Sequence, residues 1–190
     1  MKRNGGFSLV ELMVAMVIGL IIILGAGQLF LTVFQTNRQV EMLSEKQAAV
    51  NFAVETLLRD IRRADQSEDP ISWDGEVLSL TVSNRGDIAL PCAPGDPVKK
   101  VYRLSGEQVS DREGWALEMG QACSGETING YSQIVTSLEE GGFNVDVIDA
   151  DAGVWLVTLT LMPTGQGGTE DQLIFHAVNR TAAVTSSGSN

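Results

Sequence analysis

Residues 5–27 read GGFSLVELMVAMVIGLIIILGAG, and the reading of this stretch decides the fold. Residues 12–34 carry no charged side chain, and their polar side chains are only Gln28 and Thr32. A run of that length is enough to cross a bilayer core, which takes about 20 apolar helical residues. Glu11 sits at the start of the run. An ionised carboxylate in a membrane segment costs about 2.5–3.5 kcal/mol at mid-depth and less near the boundary. Such a charge implies a partner, and the apolar stretch offers no cation. A neighbouring molecule or a new amino terminus is the natural source of one.

Lys2 and Arg3 are the only charges before Glu11. They lie just outside the apolar run, and the positive-inside bias assigns this end to the cytoplasm and the remainder to the opposite side. A secretory signal peptide fits poorly. Its order is basic, then apolar, then a small-residue cleavage site. Here Gly5 and Gly6 precede the apolar run, and Ala26–Gly27 is followed by more apolar sequence, Gln28-Leu-Phe-Leu. A plain membrane anchor explains everything except Glu11.

Together, the basic start, Gly6, Phe7, Glu11 and the uninterrupted apolar helix resemble the processing signal of type IV pilins and type II secretion pseudopilins. The resemblance implies that a prepilin peptidase cuts between Gly6 and Phe7. Phe7 then becomes the N-methylated first residue, and Glu11 becomes the fifth residue of the mature chain. In that family the fifth-residue glutamate is thought to pair with the terminal amine of a neighbouring subunit, which would supply the missing cation. One departure stands out. Many pilins carry a proline in the second half of this segment, and this chain has none there. Gly19, Gly25 and Gly27 are its only weak points, each worth roughly 1 kcal/mol of helix propensity.

No helix breaker follows between Gln28 and Asp69. Val40, Leu43, Val50, Val54, Leu57, Ile61 and Ala64 recur at alternating spacings of three and four, with Gln47 filling the gap, which is one face of a helix. Glu55 and Arg59 form an i,i+4 pair on an outer face. Asp69-Pro70 ends the pattern. A single helix is expected over about residues 8–65, some 85 Å long at about 1.5 Å per residue. Its apolar face could form a coiled coil. Packing on the chain's own downstream strands is favoured, because those strands need a cover for one sheet face. The segment NFAVETLLRDIRRAD resembles the end of the long helix in PilW-family minor pilins and J-type pseudopilins, through Arg59, Asp60, Ile61, Arg62 and Ala64. PilW relatives often continue with a glycine and a cysteine, whereas this chain continues DQSEDP.

The formal net charge is −11, and it is unevenly placed. Residues 1–65 are near balance, whereas residues 66–190 hold eighteen Asp/Glu against six Lys/Arg. An acidic domain repels phosphate backbones, so no nucleic-acid partner is expected. Lys99–Lys100 is the one local basic patch weighed against that. Cys92 and Cys123 lie in Gly/Pro-rich loop sequence, PCAPGDP and GQACSGE. An even count outside the membrane segment points to a disulfide in an oxidising compartment, with two unpaired thiols as the alternative. His176 is the only histidine, and one histidine with two distant cysteines is no zinc pattern.

Residues 70–180 read as strands, with period-2 alternation and β-branched content at 77–83, 98–104, 114–119, 131–138, 143–149, 154–161 and 172–178. In the first of these, Leu78, Leu80 and Val82 share a face. Successive strands without helices argue one antiparallel sheet or two. Asp149, Asp151 and Gly153 resemble part of a calcium loop, but its twelfth position would be Thr160, so the stretch reads as a hairpin turn. GQGGTED at 165–171 lacks a following GK[ST] and reads as a loop. Trp73, Trp115 and Trp155 read as core residues.

The expectation is an α+β, type IV pilin-like fold. It comprises a leader (1–6), a long helix (7–65, with 12–34 transmembrane), a periplasmic β-rich domain (70–180) and a flexible tail (181–190). No catalytic constellation, cofactor or metal site stands out. By resemblance the chain is a minor pilin of an inner membrane in a Gram-negative bacterium. Its partners would be the prepilin peptidase, other minor and major pilins, the inner-membrane assembly platform and a tip adhesin. A J-type minor pseudopilin of type II secretion is the sister reading. A membrane-tethered periplasmic enzyme or receptor is the reading from another class.

Overall fold

A computed structural model describes residues 8–65, 70–88, 91–110, 113–163 and 171–180, without the side chain of Met42. Helix α1 runs Leu9–Arg63, with no proline to interrupt it. Seven strands follow: β1 (Ile71–Trp73), β2 (Val77–Ser83), β3 (Pro97–Leu104), β4 (Trp115–Cys123), β5 (Ser132–Asp149), β6 (Val154–Leu161) and β7 (Asp171–Val178). They form one antiparallel sheet in which every strand pairs with its sequence neighbours. The architecture is therefore α+β, a long N-terminal helix packed with a C-terminal seven-stranded sheet, as in type IV pilins. The chain divides into two compact units, Met1–Glu45 and Lys46–Asn190.

Within the second unit the end of α1 covers one face of the sheet. Ala53, Leu57, Ile61 and Ala64 are fully buried, and Ala49, Val50, Val54 and Leu58 flank them. The expected seam is thus shifted. Val40 and Leu43 stay exposed, and Ala53 belongs to the buried row. The facing sheet positions are Leu78 and Leu80 on β2, Tyr102 on β3, Leu117 on β4, Val135, Leu138, Phe143 and Val145 on β5, and Val157 and Leu159 on β6. Burying each large aliphatic side chain contributes about 1.5–3 kcal/mol. Trp73, Trp115 and Trp155 pack at the edge of this core, Trp73 edge-on to Phe143 with ring centroids 5.4 Å apart.

Two expected strands, 131–138 and 143–149, are one. β5 runs through Gly141–Gly142, with its register to β6 shifted between Leu138 and Phe143. Gly142 permits this because a Cβ there would lie 2.5 Å from the Thr160 carbonyl oxygen. Gly141 adopts φ +69°, a left-handed conformation that glycine takes without steric penalty. The first half of β5 pairs with β4 and the second with β6. Asp149–Gly153 is the β5–β6 turn, closed by Asp149 Oδ1 accepting the Ala152 N–H at 2.9 Å. His176 is exposed on β7.

Cys92, in the β2–β3 loop, is disulfide-bonded to Cys123 at the end of β4, with Cα atoms 5.8 Å apart. The same loop is organised by buried Asn84. Its side-chain amide donates to the carbonyls of Cys92 (3.0 Å) and Ala93 (3.3 Å), and its Oδ1 accepts the Gly86 N–H (2.9 Å). The bridge closes a loop with a sequence separation of 31. In the chain-entropy view such a closure stabilises by about 3–4 kcal/mol. Replacing both cysteines by serine is therefore expected to lower the melting temperature by roughly 6–12 °C. Calorimetry of the full chain in detergent checks this, and an unchanged melt would show that the loop is held by Asn84 alone.

Candidate functional site: an apolar helix with one carboxylate, and its anchorage

Glu11 lies in the first turn of α1 and is exposed. The helix is regular there, with the Leu12 N–H donating to the Ser8 carbonyl at 3.2 Å. A helix N-terminus is partially positive, so a carboxylate in its first turn is favourably placed. Among the described residues no Lys or Arg pairs with Glu11. Gly6 and Phe7 lie outside the described residues.

From Leu12 to Phe34 the helix is apolar on every side, and its large side chains are exposed. A helix that is hydrophobic all round needs either a protein core or a lipid phase. An 18-residue window of α1 reaches a mean hydropathy of 2.7 with none of it buried against protein, long and apolar enough to cross a membrane. The threonine hydroxyls of this stretch are satisfied locally. Thr32 Oγ1 donates to the Gln28 carbonyl at 3.0 Å and Thr36 Oγ1 to the Thr32 carbonyl at 2.9 Å, so no hydroxyl is left unpaired in an apolar phase.

Residues 1–27 match the family of the prokaryotic N-terminal methylation motif.

That match covers Gly6, Phe7, Glu11 and the first part of the apolar helix. No curated protein and no solved structure matches the chain. The methylation motif, with the fold, supports a type IV pilin-like protein that is processed as a prepilin. The motif implies a prepilin peptidase as processing enzyme and other pilins as assembly partners. With the apolar helix near the N-terminus it supports membrane anchoring. Motif and fold together suggest a structural protein.

The other end of α1 holds a feature that the periodicity did not reveal. Asp60 is fully buried beneath the helix, and its Oδ2 accepts hydrogen bonds from Lys100 Nζ at 2.7 Å and from the Tyr102 hydroxyl at 2.6 Å. Lys100 is 5% exposed and Tyr102 0%. Lys100 is thus not part of a basic surface patch; only Lys99 of that pair is exposed. Burial above all, with the Asp60 charge and hydrogen bond added, holds the Tyr102 phenol well above its ordinary pKa of 10.0. The phenol therefore remains protonated and donating. Arg59 is ion-paired with Asp60, Nε to Oδ1 at 3.6 Å, rather than with Glu55. Asp60 Oδ1 accepts no hydrogen bond.

Two further contacts hold the helix end to the sheet unit. The Asn179 side-chain amide, just beyond β7, donates to the carbonyls of Ile61 (3.2 Å) and Ala64 (2.8 Å), satisfying acceptors that a helix C-terminus leaves open. Arg63 makes a forked pair with Asp87 at 2.7 and 3.3 Å. The Arg63 hydrogen bond lowers the Asp87 pKa to about 2, and the Arg63 pKa is raised in turn. Of the segment Arg59-Asp60-Ile61-Arg62, the second and third residues face inward and the two arginines outward.

Proposed function

We propose that this chain is a minor pilin of a type IV pilus, of the PilW kind, that helps prime assembly or forms part of the tip complex. The observation that carries the proposal is Glu11, an exposed carboxylate in the first turn of a helix that is uncharged from residue 12 to 34, and the fifth residue when Phe7 counts as the first. In the reading proposed here, the N-terminus starts in the cytoplasm, residues 12–34 cross the inner membrane, and the sheet unit is periplasmic. The peptidase cuts between Gly6 and Phe7 and methylates Phe7, and the chain then leaves the bilayer through the assembly platform. Glu11 meets the terminal amine of an adjacent subunit as it enters the fibre. A carboxylate that is unfavourable for a lone chain in lipid becomes a register mark between chains, because an ion pair in a low-dielectric core is strong when both partners are present and costly when one is missing.

The expected result for Glu11→Ala is normal processing with incorporation into sheared pili reduced by at least about tenfold, a loss on the order of 1.4 kcal/mol or more. Quantitative immunoblotting of pilus and membrane fractions checks it. Piliation at the wild-type level would overturn the pairing role. A second reading, a J-type minor pseudopilin of type II secretion, is consistent with the Arg59–Ala64 segment, which resembles both groups. Deleting the gene separates the two readings. Loss of twitching with intact exoprotein secretion supports the pilus, and the reverse supports secretion.

A further inference from the structure

Five of the chain's nine arginines converge on one open cleft of about 440 Å³ in the second unit. Arg59, Arg62 and Arg63 come from the last turns of α1, Arg85 from the β2–β3 loop, and Arg180 from beyond β7. This gathering opposes the charge of the surrounding unit, since residues 66–190 hold eighteen acidic side chains and only six basic ones. Basic residues at a helix C-terminus are favourable to the helix dipole, which accounts for Arg62 and Arg63. It does not account for Arg85 and Arg180, which arrive from two other elements.

Internal pairing does not use up the cluster. Arg63 is bonded to Asp87, and Arg59 leans on Asp60. Arg62, Arg85 and Arg180 are exposed and have no ion pair among the described residues. Glu55 and Asp65 also line the cleft. Among the described residues, set against those two and Asp87, with Asp60 offset by Lys100, five arginines leave a balance of +2. Among the described residues no lysine lines the cleft. The planar guanidinium fork, unlike an ammonium, matches a carboxylate with two parallel hydrogen bonds.

Phe52 adds the second half of a docking surface. It is 58% exposed. Positions 52, 55, 59 and 62 follow helical spacings of three and four, so Phe52 shares a face of α1 with Glu55, Arg59 and Arg62. An exposed aromatic beside clustered arginines is the composition enriched at protein–protein interfaces. A lipid headgroup fits less well. Among the described residues Leu58 is the only large apolar one lining the cleft, and Arg59 follows the end of the apolar run by about 25 residues, whereas lipid-binding basic clusters flank a membrane span directly.

We propose that this arginine cleft, with Phe52 one turn away, docks an acidic segment of a neighbouring protein subunit. That the partner is a subunit of the same assembly rests on the minor-pilin reading; the carboxylate chemistry does not. The test uses the full-length chain in neutral detergent micelles, titrated with fluorescein-labelled hexaglutamate and followed by fluorescence anisotropy. Saturable binding is expected at about 50 mM salt, weakening roughly tenfold at about 300 mM salt. Arg85→Gln with Arg180→Gln is expected to weaken it roughly tenfold as well. Both side chains are exposed, so the melting temperature should not change. Lys99→Gln, which removes an exposed cation elsewhere, should bind as the wild type does. Equal affinity of the wild type and the double variant would overturn the proposal. So would absence of hexaglutamate binding, including the case in which the same arginines instead control retention on phosphatidylglycerol vesicles. The measurement requires neither leader cleavage nor a fibre, so its failure is distinguishable from failure of the minor-pilin reading.

Discussion

Replacing Lys100 by methionine is expected to destabilise the sheet unit by about 3–5 kcal/mol. Asp60 lies fully buried between α1 and the sheet, and among the described residues Lys100 is its only buried cation, with Nζ 2.7 Å from Oδ2. Without it the carboxylate retains the Tyr102 hydroxyl at 2.6 Å and the Arg59 guanidinium at 3.6 Å, the latter 58% exposed and screened by water. An uncompensated buried charge is among the few point changes that approach the whole stability of a domain. The double replacement Asp60→Leu with Lys100→Met removes both charges together and should recover most of the loss, because a buried pair contributes little beyond apolar residues of the same volume. Chemical denaturation of the four chains in one detergent reads this directly. A Lys100→Met effect no larger than that of Lys99→Met, one residue away and exposed, would show that the pair is not buried as described. The same site gives an alkaline limit. Because the folded pKa of Tyr102 is raised, its proton stabilises the fold fully below about pH 10, and that contribution is lost as pH rises beyond it.

Replacing Gly6 by valine is expected to abolish the mature form almost completely. On the proposed reading Gly6 occupies the position just before the cut, where the backbone must lie close against the peptidase. A residue without Cβ allows that approach and a β-branched one does not. The consequence extends past the leader. Without a free, methylated Phe7 amine, Glu11 in the next subunit has no cation to meet, so the uncut chain should remain in the membrane fraction. Mass spectrometry of the N-terminal peptide after expression with the peptidase distinguishes the outcomes. A mature chain at the wild-type level in Gly6→Val would place the cut elsewhere.

The apolar run and the strands were legible in the sequence because their signals are local. Residues 12–34 without a charge and the alternation in VLSLTVS, where Leu78, Leu80 and Val82 are all buried, need only neighbours in the chain. The misplaced details depend on distant residues. The helix seam was centred too early because Ala53 is small and Val40 and Leu43 are large, yet what decides burial is where the sheet lies. Gly141–Gly142 fell between two expected strands, 131–138 and 143–149, but one strand continues through the pair, since Gly142 meets the Thr160 carbonyl across the sheet. β1, three residues after Pro70, is too short to show a period. The Asp60 site did leave a trace. Lys100 shares strand parity with Val98 and Tyr102, both fully buried, and Asp60 stands three positions after Leu57 on the buried side of α1. A charge on each of two apolar faces, with opposite signs, was the available clue. The N-terminal methylation motif was legible for a different reason. It is a short signature of residue types along the chain.

The most direct measurement is the N-terminal peptide of the mature wild-type protein, recovered from membranes and sheared pili. A peptide beginning at Phe7, with one methyl group on its amine, is the predicted result. A chain that keeps Met1–Gly6 in the presence of active peptidase, or one cut after Ala26 as a secretory signal would be, would contradict the assignment of this protein as a processed, assembling subunit.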